Sequence, residues 1–452
     1  MIKYSLGLAV MAMLAVSALA ARNQDLLAEV PGYGKPPTAQ YSGYLDITPQ
    51  KHMHYWFVES EAGPNAPLVL WFNGGPGCSS MDGFFYEQGP FRFAPGSSGA
   101  PVKGALVDNV GRWNSFAHML FIEAPVGVGF SYTDIKNLPL NDTQTAEDNH
   151  AALLMFLQYF PEYQHNPLFI SGESYAGIYV PTLVEQILAS NKAGTTNLNL
   201  KGMAVGNGCI GSEVGACSAN GLGIHLDFLY AHDLFSPTSY ANLTANGCTN
   251  PASTNPACPG ILQAISNEIG DINIYGIYTP CVGSVLSNAK MTSGSGHPLT
   301  QLGGPDECID SAQASRYLND PAVKKAINVN SDITWAICSN IPYTANTKSL
   351  LPRYPAMISA IKVLIYSGNV DACVPNTGTQ EWTASLGYPV ETPWHPWTYE
   401  EPGSGTQVGG YEINYAANGF TFKSINGAGH PVPSYKPYAA LKMITDFVKS
   451  AL

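Results

Sequence analysis

Charge is scarce in this sequence. Only 12% of its 452 residues are Asp, Glu, Lys or Arg, about half the quarter usual in soluble domains. The shortage is sharper on the positive side, where 21 Lys and Arg face 33 Asp and Glu and leave a formal net charge of −12. No basic cluster offsets it. Phosphate backbones are held by clustered Lys and Arg, so a nucleic-acid partner is excluded. Past the N-terminus no apolar run reaches 18 residues, so no transmembrane anchor is expected. There is no Cys-x-x-Cys pair and no His-Glu-x-x-His, which removes a zinc ribbon, a thioredoxin-like motif and the helical metalloprotease site. The glycines at 74–77 are not followed by Lys-Ser/Thr, as a phosphate cradle requires, and Gly127-Val128-Gly129 is too short for a dinucleotide fingerprint. No metal or cofactor is implied, and no internal repeat occurs.

What is plentiful points to a large core with many turns. Hydrophobic residues make up 45%, beside 45 Gly and 34 Pro, a mixture that fits neither coiled coil, long solenoid nor global disorder. Length alone suggests two or three domains, and one large α/β domain with an insertion fits equally well. Lys3, the short apolar stretch 6–19 and Ala18-Leu19-Ala20 read as a secretory signal peptide over 1–20, with the mature chain starting near Ala21. Nine cysteines suit that route, and their odd number leaves at least one outside any disulfide. Asn141-Asp142-Thr143 and Asn242-Leu243-Thr244 are glycosylation acceptors. The expected destination is the secretory pathway, either the exterior or a lysosome or vacuole.

Short apolar runs at 68–72, 119–122, 168–170, 203–205 and 363–366 each end in a Gly-rich or polar turn and read as buried strands. Helical spacing at 145–159 and 179–189 lies between them. Such alternation predicts a mostly parallel sheet covered on both faces. The pattern breaks at 209–310, a stretch rich in Gly, Ser, Asn, Thr and Pro that holds six of the nine cysteines. A loop of that length needs its own staples, so it reads as a disulfide-bound cap inserted between core segments 21–208 and 311–452. The closing elements are strand-like runs at 411–415 and 420–425 and a helix at 437–448.

The chemistry centres on Gly172-Glu173-Ser174-Tyr175-Ala176-Gly177, which follows an apolar strand and precedes a helical pattern. Gly-x-Ser-x-Gly in that setting is a nucleophile turn: glycines permit the tight bend, and the helix N-terminus favours developing negative charge. A serine needs a base, and the base needs a carboxylate to orient it. In an α/β-hydrolase the order along the chain is Ser, acid, His. Past the cap only His395 and His430 remain. His395 sits in a bulky aromatic stretch and reads as packing, whereas His430 follows a strand in a flexible Gly-rich turn. Asp371 lies just past the strand at 363–366, where an α/β sheet keeps its site. Trp71-Phe72-Asn73-Gly74-Gly75-Pro76-Gly77 follows another strand and offers backbone N–H groups to an oxyanion.

These segments resemble the serine carboxypeptidase family, which includes cathepsin A and the vacuolar and plant carboxypeptidases. The likeness runs through Trp71 to Ser80, Glu87-Gln88-Gly89-Pro90, Ala124 to Tyr132, Val205-Gly206-Asn207-Gly208, Tyr278-Thr279-Pro280-Cys281 and Gly427-Ala428-Gly429-His430, nearly the whole mature chain. It implies an α/β-hydrolase fold and a carboxypeptidase acting through an acyl-enzyme on peptides with a free C-terminal carboxylate. Ser174 would be the nucleophile, His430 the base and Asp371 its orienter, with the Gly75 and Tyr175 amides as oxyanion hole. Asn73, Gly74, Glu87, Glu173 and Trp71 would hold the substrate carboxylate. Close carboxyls share a proton and one pKa rises, so binding should favour acid pH. The family pattern further implies disulfides Cys78–Cys338, Cys281–Cys308, Cys248–Cys258 and Cys209–Cys217, with Cys373 left as a thiol. The loop-like stretch 288–304 between Cys281 and Cys308 is expected to be open to cleavage, and the resemblance implies a monomer or homodimer. The same fold serves acyltransferases, lipases and esterases, and binding proteins with a vestigial triad; the retained Asn73 and Glu173 favour the peptidase.

Overall fold

The computed structural model describes residues 24–280 and 311–452. The expected signal peptide, Cys281, Cys308 and the 288–304 linker lie outside the described residues. The apolar runs form strands because both faces of each are covered. β1 (Gln40–Thr48) and β2 (Lys51–Val58) make an antiparallel hairpin, followed by β3 (Leu68–Phe72), β4 (His118–Ile122), β5 (Leu168–Glu173), β6 (Leu200–Gly206) and β7 (Lys362–Gly368). β8 (Val390–Glu401), β9 (Gly405–Tyr415) and β10 (Thr421–Ile425) complete the central sheet. Its order is β1-β2-β4-β3-β5-β6-β7-β10-β9-β8, with Tyr132–Thr133 paired beside β2. From β4 across to β10 every neighbouring pair is parallel. The α/β-hydrolase expectation is met.

Every residue of β3, β4 and β5 is buried, as a sheet with two covered faces requires. Alternation sends Leu68, Leu70 and Phe72 into one core and Val69 and Trp71 into the other. Helices α1 (Asp142–Tyr159) and α2 (Ala176–Lys192) close the first core through Leu153, Phe156, Ile178 and Leu183. The C-terminal helix, Pro437–Ser450, closes the second through Met443, Ile444 and Phe447. Asn141 caps α1, its Oδ1 accepting from the Gln144 amide at 2.9 Å.

Composition gives the segment after β6 no helical pattern, yet its described residues hold three helices: α3 (Leu222–Ala231), α4 (Pro237–Ala245) and α5 (Cys258–Ile269). Their apolar residues are few but converge. Leu226, Phe228, Leu229, Leu243, Ile261 and Ile265 form a third, separate core. Ser236 caps α4 by accepting from the Ser239 amide at 3.2 Å, with Pro237 at the first helical position. Disulfides Cys209–Cys217 and Cys248–Cys258 staple this region, and exposed Asn242 lies on α4. Sequence reading also passed over the β1–β2 hairpin and β8. β8 carries Pro393 and Pro396, which a strand tolerates at a sheet edge, and it lies at one edge of the sheet. Among the described residues no helix is long and apolar enough to cross a membrane.

Candidate active site

β5 ends at Glu173 and α2 begins at Ala176, so Ser174 and Tyr175 form the whole turn. Ser174 takes φ +62°, a left-handed conformation costly for a side-chain-bearing residue. Three backbone bonds hold it there: its N–H donates to Gly206 O at 3.0 Å, and its carbonyl accepts from Gly177 N at 2.9 Å and Cys209 N at 3.0 Å. The flanking glycines answer to space. A Cβ at Gly172 would lie 2.5 Å from Phe72 O, and one at Gly177 would lie 2.3 Å from Cys209 O.

Asp371 follows the end of β7 by three residues and is wholly buried. Its Oδ1 accepts from Cys373 N at 2.8 Å. Its Oδ2 faces His430 Nδ1 at 2.7 Å and accepts from Asn207 Nδ2 at 2.7 Å and Val374 N at 3.1 Å. The carboxylate thereby fixes the ring tautomer with Nδ1 as donor. His430 Nε2 is buried and, among the described residues, has no hydrogen-bond partner. Asn207, at the end of β6, also accepts from Gly368 N at 2.9 Å. Its bond to the acid escaped the sequence reading, which saw it only as part of a matching stretch; an Asn beside the acid-bearing strand was the available signal.

A second feature was invisible in sequence. Residues 273–277, which follow α5, stitch the Asp371 and His430 loops together. Ile274 O accepts from Ala372 N at 2.8 Å and Cys373 N at 3.0 Å, Ile277 N donates to Val370 O at 3.1 Å, and Tyr275 O accepts from His430 N at 2.8 Å. The Tyr275 ring meets the His430 ring edge-on at 5.1 Å. Cys373 is a buried thiol. His395, partly buried, sits on the far edge strand, its Nε2 3.0 Å from Glu412 Oε1.

The loop after β3 lies directly on the Ser174 turn. A Cβ at Gly74 would fall 2.3 Å from Tyr175 N and 2.8 Å from Ser174 Cβ. Gly75 beside it takes φ +115°. The loop is anchored by the Cys78–Cys338 disulfide and by backbone bonds Ser79 N to Ile337 O at 2.7 Å and Ser339 N to Gly77 O at 2.8 Å. Beneath it the buried Glu123 accepts from Ser79 Oγ, Trp335 Nε1 at 2.8 Å and Phe130 N at 2.7 Å, and faces His54 Nδ1 at 2.8 Å. Tyr175 is tethered too, its hydroxyl donating to Asp142 at 2.8 Å.

Asn73 joins two carboxyls. Its Nδ2 donates to Glu87 at 3.0 Å and Glu173 at 3.1 Å, while its Oδ1 accepts from Trp71 Nε1 at 2.8 Å and Gly83 N at 3.0 Å. A third carboxyl, Asp82, lies with them, one oxygen from each of the three within 4.8 Å of the others. Sequence reading missed Asp82. Burial raises Glu87, and the Asp82 charge adds to it, against the bonds from Asn73 and Glu173 and the Arg92 charge. Burial likewise pushes Glu173 well above the carboxylate range, with Glu87 next in effect. The pair therefore holds a proton where isolated glutamates have lost theirs.

A strained serine between a parallel strand and its helix, with an aspartate and a histidine on later loops, defines a serine hydrolase of the α/β-hydrolase fold. The fold is shared with the crystal structure of KEX1(Δ)P, a prohormone-processing carboxypeptidase from Saccharomyces cerevisiae, at TM-score 0.75 and 23% identity over 95% of this chain and 96% of that one. Residues 31–450 match the family described as serine carboxypeptidase. The chain is 37% identical to serine carboxypeptidase-like 21 of Arabidopsis thaliana over 94% of its length and 93% of the relative's. It is also 37% identical to the lysosomal protective protein of Mus musculus, over 95% and 94%. The chain belongs to the serine carboxypeptidase family and is a serine-type carboxypeptidase, a hydrolase.

Proposed function

We propose that Ser174, His430 and Asp371 carry the reaction and that the Asn73–Glu87–Glu173 cluster restricts it to the free end of a peptide. One observation supports the restriction above all: Glu173, tied to Glu87 through Asn73, is the residue immediately before Ser174. Ser174 Oγ attacks the carbonyl carbon of the last peptide bond as its proton passes to His430 Nε2. The Gly75 and Tyr175 amides hold the resulting oxyanion. The C–N bond breaks when His430 returns the proton to the leaving amine, and water then repeats the sequence on the acyl-enzyme. Asp371 orients the ring and stabilises the imidazolium. The protonated carboxyl pair donates to the substrate carboxylate, with the Gly74 amide and Trp71 completing the pocket.

Binding on this reading weakens as pH rises and the pair ionises. Disulfides and two acceptor sites, Asn141 and Asn242, accord with a secreted or lysosomal and vacuolar setting. Pro431 after the histidine carries no charge, so apolar terminal and penultimate residues are the expected preference. The test is mass spectrometry of N-acylated Phe-Leu and its C-terminal amide at pH 5, with Ser174→Ala beside the parent. Leu release from the acid, slow cleavage of the amide and none by the variant is the expected result. Equal cleavage of acid and amide would overturn the carboxylate pocket, and ester hydrolysis without peptide cleavage would point to acyl transfer.

A further inference from the structure

Tyr366 is a buried titratable group that the mechanism above does not use. It stands on β7 opposite Gly206 of β6, which stands opposite Glu173 of β5. Residues in lateral register across parallel strands share a face of the sheet. The middle position has no side chain, and the tyrosine ring occupies the space. A Cβ at Gly206 would lie 2.5 Å from two ring carbons of Tyr366 and 2.6 Å from its hydroxyl oxygen. The ring thus extends from β7 over β6 toward the glutamate on β5.

Its hydroxyl is an oddity there. Tyr366 is 1% exposed, and among the described residues its Oη has no hydrogen-bond partner. Buried hydroxyls are normally paired, and a phenylalanine would fill the same space without that cost. Burial drives the hydroxyl well up, with the charges of Glu173 and then Glu87 adding to the shift, so both carboxyls are near enough to act on it.

We propose that Tyr366 is a positioning residue of the terminal-carboxylate pocket, its hydroxyl reaching across Gly206 to donate to the Glu87–Glu173 pair once that pair carries negative charge. The inference rests on the carboxylate-pocket reading given above. The other charged groups acting on the pair come from every side. Asp82 precedes the single π-helical turn Gly83–Glu87, Arg92 lies on the short strand Phe91–Phe93, and Asp371 follows β7. Asp82 and Asp371 favour the protonated pair, and Arg92 the ionised one. Tyr366 adds a second neutral donor to the one that Asn73 supplies. A donor to the charged form favours that form, so its loss lets the pair keep its proton to higher pH.

Tyr366→Phe removes one oxygen and leaves the ring over Gly206. KM and kcat would be measured for N-acylated Phe-Leu and its amide from pH 4.5 to 8.5, for parent and variant. The parent's KM for the acid rises with pH. In the variant that rise moves up by about 0.5 to 1 pH unit, while kcat on the amide at pH 5 stays within about twofold. A KM profile that superimposes on the parent's, or moves to lower pH, overturns the role of the hydroxyl alone. A variant whose kcat falls equally on both substrates with an unmoved KM profile marks Tyr366 as core packing and also overturns it. A parent KM that is flat with pH overturns the carboxylate-pocket reading itself, and this inference with it.

Discussion

Two groups of buried carboxylates stand side by side at the C-terminal edge of the sheet, and they are treated in opposite ways. Asp371 is met by four donors, two backbone amides, the Asn207 amide and His430 Nδ1. Glu87 and Glu173 share a single Asn73 amide and face each other and Asp82. Burial is the same in both; the supply of donors differs. A carboxyl surrounded by donors serves as a fixed acceptor that orients a ring. Carboxyls short of donors and crowded by like charge serve as holders of protons. The lesson is that the role of a buried acid is set by its neighbours' hydrogens rather than by its depth.

The same isosteric change in each group tests that contrast. Asp371→Asn replaces an acceptor with a donor where four donors already converge, and kcat is expected to fall about 10⁴-fold with KM little changed. A loss carried in KM would break the comparison. Glu173→Gln removes one carboxyl of the pair and leaves Glu87 and Asp82 to titrate. KM for a free-acid peptide should then rise less from pH 5 to 8 than the parent's, which rises on the order of 10-fold, with kcat at pH 5 close to the parent's. A variant that keeps the parent's rise would remove the pair from carboxylate binding. Asn207→Ala takes one donor from Asp371 and should lower kcat by about 10-fold, with activity retained; no effect would mean that the backbone amides suffice.

Stability gives the smallest effect. Burial pushes Glu87 up to about 8 and Asp25 up to about 6. The folded state thus binds more protons than the unfolded chain. Their contribution is full below the ordinary carboxylate range and is lost as pH rises through 6 and then 8. Tm should fall by on the order of 5 °C between pH 5 and 8.5, and Glu173→Gln should fall less. A constant Tm would show that these groups gain compensating donors.

Legibility followed locality. The Ser174 turn could be read because strand, glycines, serine and helix are contiguous, and the flanking glycines answer clashes their neighbours impose. His430 and Asp371 followed from order along the chain, and Asn73, Glu87 and Glu173 from the family likeness. Asn207, Asp82 and residues 273–277 were missed because their meaning lies in contacts between distant segments: Asn207 to Asp371, and Tyr275 to His430, each span more than a hundred residues. The insertion's helices hid behind a polar composition, since a small core needs few apolar residues when disulfides staple it. β8 hid behind its prolines, which an edge position excuses.

The sequence by itself determined the parallel sheet and the strand–turn–helix around Ser174, and pointed to Asp371 and His430 as its proposed partners, because period, turn chemistry and chain order are local properties. Only the tertiary structure decided which carboxyl orients a ring and which pair holds a proton. It also decided that a glycine on β6 opens a path for a tyrosine from β7 toward a glutamate on β5. Those outcomes depend on register between strands and on how many donors reach each oxygen, and neither exists until the chain is folded.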